Sequence, residues 1–289
     1  STMEISTVTE KELLELAREI VATVAQSAHA LVIRDPAKAR APIQVRDGKG
    51  DTMTIDAEAE RIVMDMLKKN VKVPYHVLTE EIGLVRASAA TDLYVVCDPI
   101  DNTLLALRGM FEASSTAVMF YDRKTEMMIA SAIADLSGTV YFASRSADGL
   151  FRDVRGKIDR MVPSKVKEIG NAFISSYAVK AGRMKHLSEK YGKLMERAKY
   201  YYNSGGPMGF VAICAPEGGI ALDSFFEEEK GFYAWDLLGY SMLEKAGGVV
   251  YTFPEKSPIR IDPENYDNRI RFVAAGTREL ADAVTEALR

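Results

Sequence analysis

Two helix-period segments followed by five short apolar runs leave this chain few folds to choose from. Thr9-Glu10-Lys11-Glu12 is a capping-box pattern, after which Leu13, Leu16, Ala17, Ile20, Val21 and Val24 recur at helical spacing. This predicts a long amphipathic helix to about Ala30. A second helix is expected from Ile55, with Ala59, Ile62, Val63, Met66 and Leu67 on one face. Strand-type runs then crowd together at residues 73–78, 93–97, 115–121, 128–136 and 139–143. Helices that must bury one stripe against such a run of strands predict an α+β layer with a mixed or antiparallel sheet.

The second half alternates differently. A strand over 171–177, a charged amphipathic helix over 185–200 and a small-residue helix over 209–215, behind Gly205-Gly206-Pro207, come first. A strand over 220–226, a helix over 235–245 ended by Gly247-Gly248, strands over 249–253 and 272–275, and a helix over 277–288 complete the chain. Charged residues crowd with Gly149 and Gly156 between 145 and 165. A boundary is expected there, between an N-terminal α+β domain over 1–150 and a C-terminal α/β domain over 151–289. Residues 34–50 contain prolines 36 and 42 and five cations, Arg34, Lys38, Arg40, Arg46 and Lys49, with few apolar anchors. They read as a mobile basic loop or short hairpin.

With 37 basic and 41 acidic residues, a net charge of −4 offers no general attraction to nucleic acid or membrane, so any anion must be bound locally. Cys97 and Cys214 stand far apart in apolar contexts, which suits a reducing compartment and excludes a cysteine-zinc cluster. His29, His76 and His186 lack metal-binding spacing. No run of 18 or more uncharged apolar residues occurs, and no basic segment leads into an apolar one at the start; a cytoplasmic protein is expected.

Chemistry concentrates in Asp98-Pro99-Ile100-Asp101-Asn102-Thr103, directly after the apolar run Leu93-Tyr94-Val95-Val96-Cys97. Pro99 lacks a donor and has a fixed φ, which predicts that the strand stops; Asn102 and Thr103 are types that cap a new helix. Two carboxylates beside backbone amides can hold a hard cation next to an anion. Glu80-Glu81 follows another strand, and Asp236, after Trp235, opens a helix. Each read alone is an acidic turn or an N-cap. Together, Glu80, Asp98, Asp101 and Asp236 fall at strand ends and helix starts, where function tends to be mounted.

These segments, with Glu244-Lys245-Ala246-Gly247-Gly248 after Trp235-Asp236 and Asp51-Thr52-Met53-Thr54-Ile55-Asp56 ahead of a helix, resemble the signatures of the inositol monophosphatase family. That family belongs to the magnesium-dependent, lithium-sensitive phosphatase superfamily that includes fructose-bisphosphatase. The resemblance runs from about residue 9 to the C terminus. It implies a layered αβαβα sandwich of the sugar-phosphatase type, a homodimer, and two or three Mg²⁺ ions. Glu80, Asp98 and the Ile100 carbonyl would hold the first ion, Asp98, Asp101 and Asp236 the second, with Glu80 available to a third. Glu80 and Thr103 would orient the attacking water, Asp56 would accept the Thr103 proton, and the amides of Asn102 and Thr103 would receive the phosphate.

Two positions depart from the family pattern. Asn102 stands where the family has Gly, and Asn is the replacement best suited to positive φ. In Phe225-Phe226-Glu227-Glu228-Glu229-Lys230-Gly231, three acids compete for one hydroxyl-binding role, and Glu227 and Glu229 are taken as the candidates. The expected activity is hydrolysis of a small polyol or sugar phosphate, inositol monophosphate or fructose 1,6-bisphosphate, with Lys180, Arg183, Lys185 and Lys230 as candidates for a second phosphate. The alternatives are a non-catalytic binding protein on the same fold and a nucleotide 3′-phosphatase, the latter disfavoured because no aromatic-rich insertion is present to stack a base.

Overall fold

The computed structural model describes residues 8–44, 51–177, 181–203 and 205–289. The chain forms two compact units, Ser1–Ala147 with Arg152–Ile158 and Asp148–Phe151 with Asp159–Arg289. It passes between them within the strands Leu150–Val154 and Lys157–Pro163.

In the first unit, the Thr9 amide donates to Glu12 Oε2 at 2.8 Å while the Glu12 amide donates to Thr9 Oγ1 at 3.2 Å, the reciprocal bonds of a capping box. Helix Glu10–Arg34 follows, one turn longer than its apolar spacing predicts, because no breaker occurs before Pro36. It is long and apolar enough to cross a membrane by length and composition, with mean hydropathy 1.2 over 18 residues. Its buried stripe from Leu13 to Val32 instead faces the strands Ser115–Asp122 and Met127–Asp135. Strands lie in the order Val140–Ser144, Met127–Asp135, Ser115–Asp122, Leu93–Asp101, His76–Thr79, Gly83–Val85. Among these strands only the pair His76–Thr79 and Leu93–Asp101 runs parallel, so the sheet is mixed, and the α+β expectation holds.

The strand does not stop at Pro99. It continues to Asp101, but its register slips: Asp98 pairs with Ala117 and Asp101 with Ser115, three steps against two. Pro99 therefore sits in a bulge, where the ladder needs no amide donor, and the break expected from proline becomes a kink.

Of the basic segment, Pro36–Ala39 is a helical turn capped by Asp35, whose Oδ1 accepts the Lys38 amide at 3.0 Å. Pro42–Gln44 pairs antiparallel with Thr52–Met53, a short hairpin. Residues 45–50, with Arg46 and Lys49, lie outside the described residues, as does Lys180.

The second unit holds a five-stranded sheet in the order Tyr200–Asn203, Phe173–Ser176, Ser224–Phe232, Ile270–Ala275, Val249–Thr252. The first three are parallel and the last two antiparallel to their neighbours. Helices Ala181–Arg197 and Arg278–Leu288 cover one face, packing Leu187, Leu194, Leu280 and Val284 with Ile174, Phe226 and Val273. Four spans differ from the periodicity reading: the helix expected over 209–215 is Gly206–Val211, and Cys214–Pro216 forms a strand. The helix expected over 185–200 ends at Arg197, and Tyr200 opens the strand Tyr200–Asn203 instead, as aromatic β-propensity favours. The expected strand over 220–226 is Ser224–Phe232, so the three acids stand in a strand rather than after one. The expected helix over 235–245 splits into a 3₁₀ turn, Ala234–Asp236, and a helix, Tyr240–Ala246, around Gly239, where a Cβ would meet the Pro207 carbonyl.

Candidate active site

Helix Thr54–Asn70, strand Leu93–Asp101 and the turn after His76–Thr79 bring the acids of the first unit to one place. Asp56 lies in the helix's first turn and is 2% exposed. Its Oδ2 accepts the Met53 amide at 2.9 Å, and its Oδ1 accepts the Thr103 hydroxyl at 2.7 Å. Asp98 is fully buried, Asp101 nearly so, and a carboxylate oxygen of each lies within 4.8 Å of the other. Positions three apart on a regular strand face opposite sides; the extra residue of the bulge turns both carboxylates to the same side.

Glu80 occupies the turn between His76–Thr79 and Gly83–Val85. Thr79 shapes that turn, accepting the Ile82 amide at 3.1 Å and donating to Glu60 Oε2 at 2.6 Å. Thr52 donates to Glu81 Oε2 at 2.5 Å. Burial, then the Glu81, Asp101 and Asp56 carboxylates, pushes the Glu80 carboxyl up to about 8. Burial pushes Asp101 up to about 7, against the Asn102 amide, which favours the ionised form. Asp101 Oδ2 is buried with no hydrogen-bond partner. A divalent cation answers both features, supplying positive charge among crowded carboxylates and a ligand for the orphaned oxygen. An all-oxygen donor set fits Mg²⁺ better than a soft metal.

Thr103 opens the short helix Thr103–Ala106, and its hydroxyl also lies 3.5 Å from the Ile100 carbonyl. Asn102 takes the N-cap position at φ 58, ψ 49, the positive φ expected of a residue standing in for glycine. Its side chain makes no cap bond, so the capping role read from its residue type is not what it does. The amide nitrogen Nδ2 donates instead to the Ala113 carbonyl at 3.0 Å.

In the second unit, Asp236 closes the 3₁₀ turn beside Trp235, whose ring stacks on Tyr233 at 4.8 Å. Strand alternation separates the three acids: Glu227 and Glu229 share one face, Glu228 the other. Arg183 donates to Glu227 at 3.0 Å and pairs with Glu229, which also faces His186 Nε2 at 3.0 Å. Glu228 turns to Lys190 at 3.4 Å. The amides of Glu229 and Lys230 donate to Glu227 Oε1 at 3.1 and 3.2 Å. Burial pushes Glu227 up, and Arg183 opposes it. Of the cations suggested for a second phosphate, Arg183 is thus engaged by two acids and Lys185 pairs with Glu189 in solvent.

Glu60 belongs to no motif of the sequence, although its place four residues after Asp56 on a helix signals a shared face. The tie from Asn102 to Ala113 carries no local signal, because it spans an irregular loop.

No protein-family model matches the chain, and no curated protein sequence does. Solved structures do. The inositol monophosphatase of Thermotoga maritima is similar over 96% of each chain at TM-score 0.72 and 18% identity. The chain has the inositol monophosphatase fold. SuhB of Mycobacterium tuberculosis shares it at 20% identity and TM-score 0.70, over 96% of each chain. A solved inositol monophosphatase-fructose 1,6 bisphosphatase shares it at 18% identity and TM-score 0.74, over 95% of this chain and 98% of the other. Within this fold the acids of the first unit occupy one strand bulge, one helix start and one hairpin turn.

Proposed function

We propose that the chain is a Mg²⁺-dependent phosphomonoesterase acting on a small sugar or polyol phosphate. The observation that carries this reading is the Asp98–Asp101 carboxylate pair beside a Thr103 hydroxyl that donates to buried Asp56. Glu80, Asp98 and the Ile100 carbonyl would hold one ion, Asp98, Asp101 and Asp236 a second, and Glu80 would be available to a third. Bound there, the ions supply a lowered pKa for water and positive charge for the phosphate and leaving oxygens.

The chain's own residues do the rest. The Thr103 hydroxyl donates its hydrogen bond to Asp56, so its oxygen lone pairs are left to accept a hydrogen bond from the attacking water and aim that water at phosphorus. Asp56, fixed by the Met53 amide, keeps the hydroxyl in that orientation. Glu80, ionised when it holds the ion, would accept a proton of that water. The Thr103 amide, with that of Asn102, would receive phosphate oxygens. Glu227 and Glu229, oriented by Arg183, would accept hydroxyls of the polyol. The reading includes a cytoplasmic homodimer without nucleic-acid or membrane partners.

Inositol monophosphate and fructose 1,6-bisphosphate are the first substrates to assay, since similar structures bear those activities in their names. Phosphate release that requires Mg²⁺ and is lost on chelation supports the proposal. Tight binding of a sugar phosphate with no release across a substrate panel would replace it with a non-catalytic binding protein.

A further inference from the structure

A residue with a Cβ enters the left-handed region only where its surroundings hold it there, and Asn102 does so at φ 58, ψ 49, between Asp101 and Thr103. Two bonds fasten it to the same short segment. Its Nδ2 donates to the Ala113 carbonyl at 3.0 Å, and its own carbonyl accepts the buried Ser114 hydroxyl at 3.1 Å, alongside the amides of Leu105 and Ala106 at 3.0 and 3.1 Å. That segment, the 3₁₀ turn Phe111–Ala113 and Ser114 after it, is clamped from its far side. The Leu136 amide donates to the carbonyls of Phe111 and Ser114 at 3.0 and 3.1 Å. The His29 ring, from helix Glu10–Arg34, stacks on Phe111 at 4.1 Å and 15°, with Nδ1 3.0 Å from the Leu136 carbonyl.

We infer that Asn102 is a positioning residue, whose side-chain amide straps the Asp101–Thr103 corner to the Phe111–Ser114 turn that His29 and Leu136 hold. Glycine here would adopt the same backbone angles but carry no strap, and would leave the corner free to sample both signs of φ. The corner matters because the Asp101 carboxylate and the Thr103 hydroxyl leave the chain on either side of Asn102. A change in its φ or ψ swings one against the other. One of the two Nδ2 hydrogens is thereby committed to the Ala113 carbonyl. The effect on turnover rests on the proposed phosphatase activity; the strap itself does not.

The test uses the full chain with Asn102→Gly, which keeps the angles and removes the strap, Ser114→Ala, which removes the second bond, and Phe111→Ala, which loosens the clamp without touching the corner. Hydrogen exchange on the metal-free protein is read at residues 104–108 and at strand Ser115–Asp122. All three variants are expected to speed exchange at 104–108, about fivefold for a single neutral hydrogen bond, while the strand is unchanged. In turnover assays, kcat should fall about five- to tenfold and the Mg²⁺ concentration for half-maximal rate should rise, with KM within about twofold. Unchanged exchange at 104–108 in Asn102→Gly overturns the strap whether or not the protein turns over any substrate. Faster exchange with kcat kept or raised overturns the positioning role. A raised KM with kcat preserved assigns Asn102 to substrate binding and overturns it too. A wild-type protein without phosphatase activity removes the proposed function, and the exchange measurement still decides the strap.

Discussion

Replacing Asp101 by Asn should make the metal-free protein more stable at pH 8, and by an amount that depends on pH. Folding raises the Asp101 carboxyl from its ordinary value of 3.8 to about 7, chiefly by burial. Ionisation therefore opposes folding. The penalty is absent below about pH 4, grows as pH rises through the folded pKa, and is constant above it. A rise of about 3 units at roughly 1.4 kcal/mol each sets an upper limit of about 4 kcal/mol at pH 8, and less than half of that at pH 5. Asn carries no charge, but its amide hydrogens need partners where Oδ2 now has none, which costs about 1 to 3 kcal/mol at every pH. The pH-independent part cancels in the comparison. The Asn variant should thus gain about 2 kcal/mol relative to wild type between pH 5 and pH 8, several degrees in melting temperature. The assay is thermal and urea unfolding in chelator at both pH values, followed by titration with Mg²⁺. Wild type should gain stability with the ion by mass action, and Asp101→Asn much less. A variant whose stability relative to wild type is the same at pH 5 and pH 8 would falsify the argument that Asp101 is held as a strained carboxyl awaiting a cation.

Asp98→Asn should abolish turnover while the metal-free fold persists; hydrolysis within about tenfold of wild type at saturating Mg²⁺ would make the metal assignment wrong. Thr103→Ala should lower kcat at least about a hundredfold with little change in KM, and a rise in KM alone would make Thr103 a binding group. Because Glu80 and Asp101 both titrate upward, Mg²⁺ binding should release protons between about pH 5 and pH 8, read by calorimetry in buffers of different ionisation enthalpy; proton-neutral binding would contradict both shifts. Glu227→Gln should raise KM for a polyol phosphate more than it lowers kcat, while Glu228→Gln, whose carboxylate turns to Lys190, should alter neither by more than about twofold. Equal effects of the two would refute the face assignment within strand Ser224–Phe232.

Much of the architecture is a local property of the chain. The capping box at Thr9, the apolar stripe behind it and the dense apolar runs to Ala143 each act over a few residues, so helix, strands and the α+β class follow from spacing alone. The acids Glu80, Asp98, Asp101 and Asp236 were legible for the same reason, read as strand ends or helix starts, whereas Asp56 entered only through the family resemblance. What spacing could not decide is everything set by a partner distant in sequence. Pro99 breaks a strand by its own chemistry, yet the register with Ser115–Asp122 absorbs it as a bulge and so turns Asp98 and Asp101 to one side. Glu227 differs from Glu228 only through which face of the strand meets Arg183. Asn102 reads as a helix cap from its residue type, but a carbonyl eleven residues away holds its side chain. Residue type and period determine which groups a segment can offer; only packing against remote backbone determines which of those groups are consumed by the fold and which are left for chemistry.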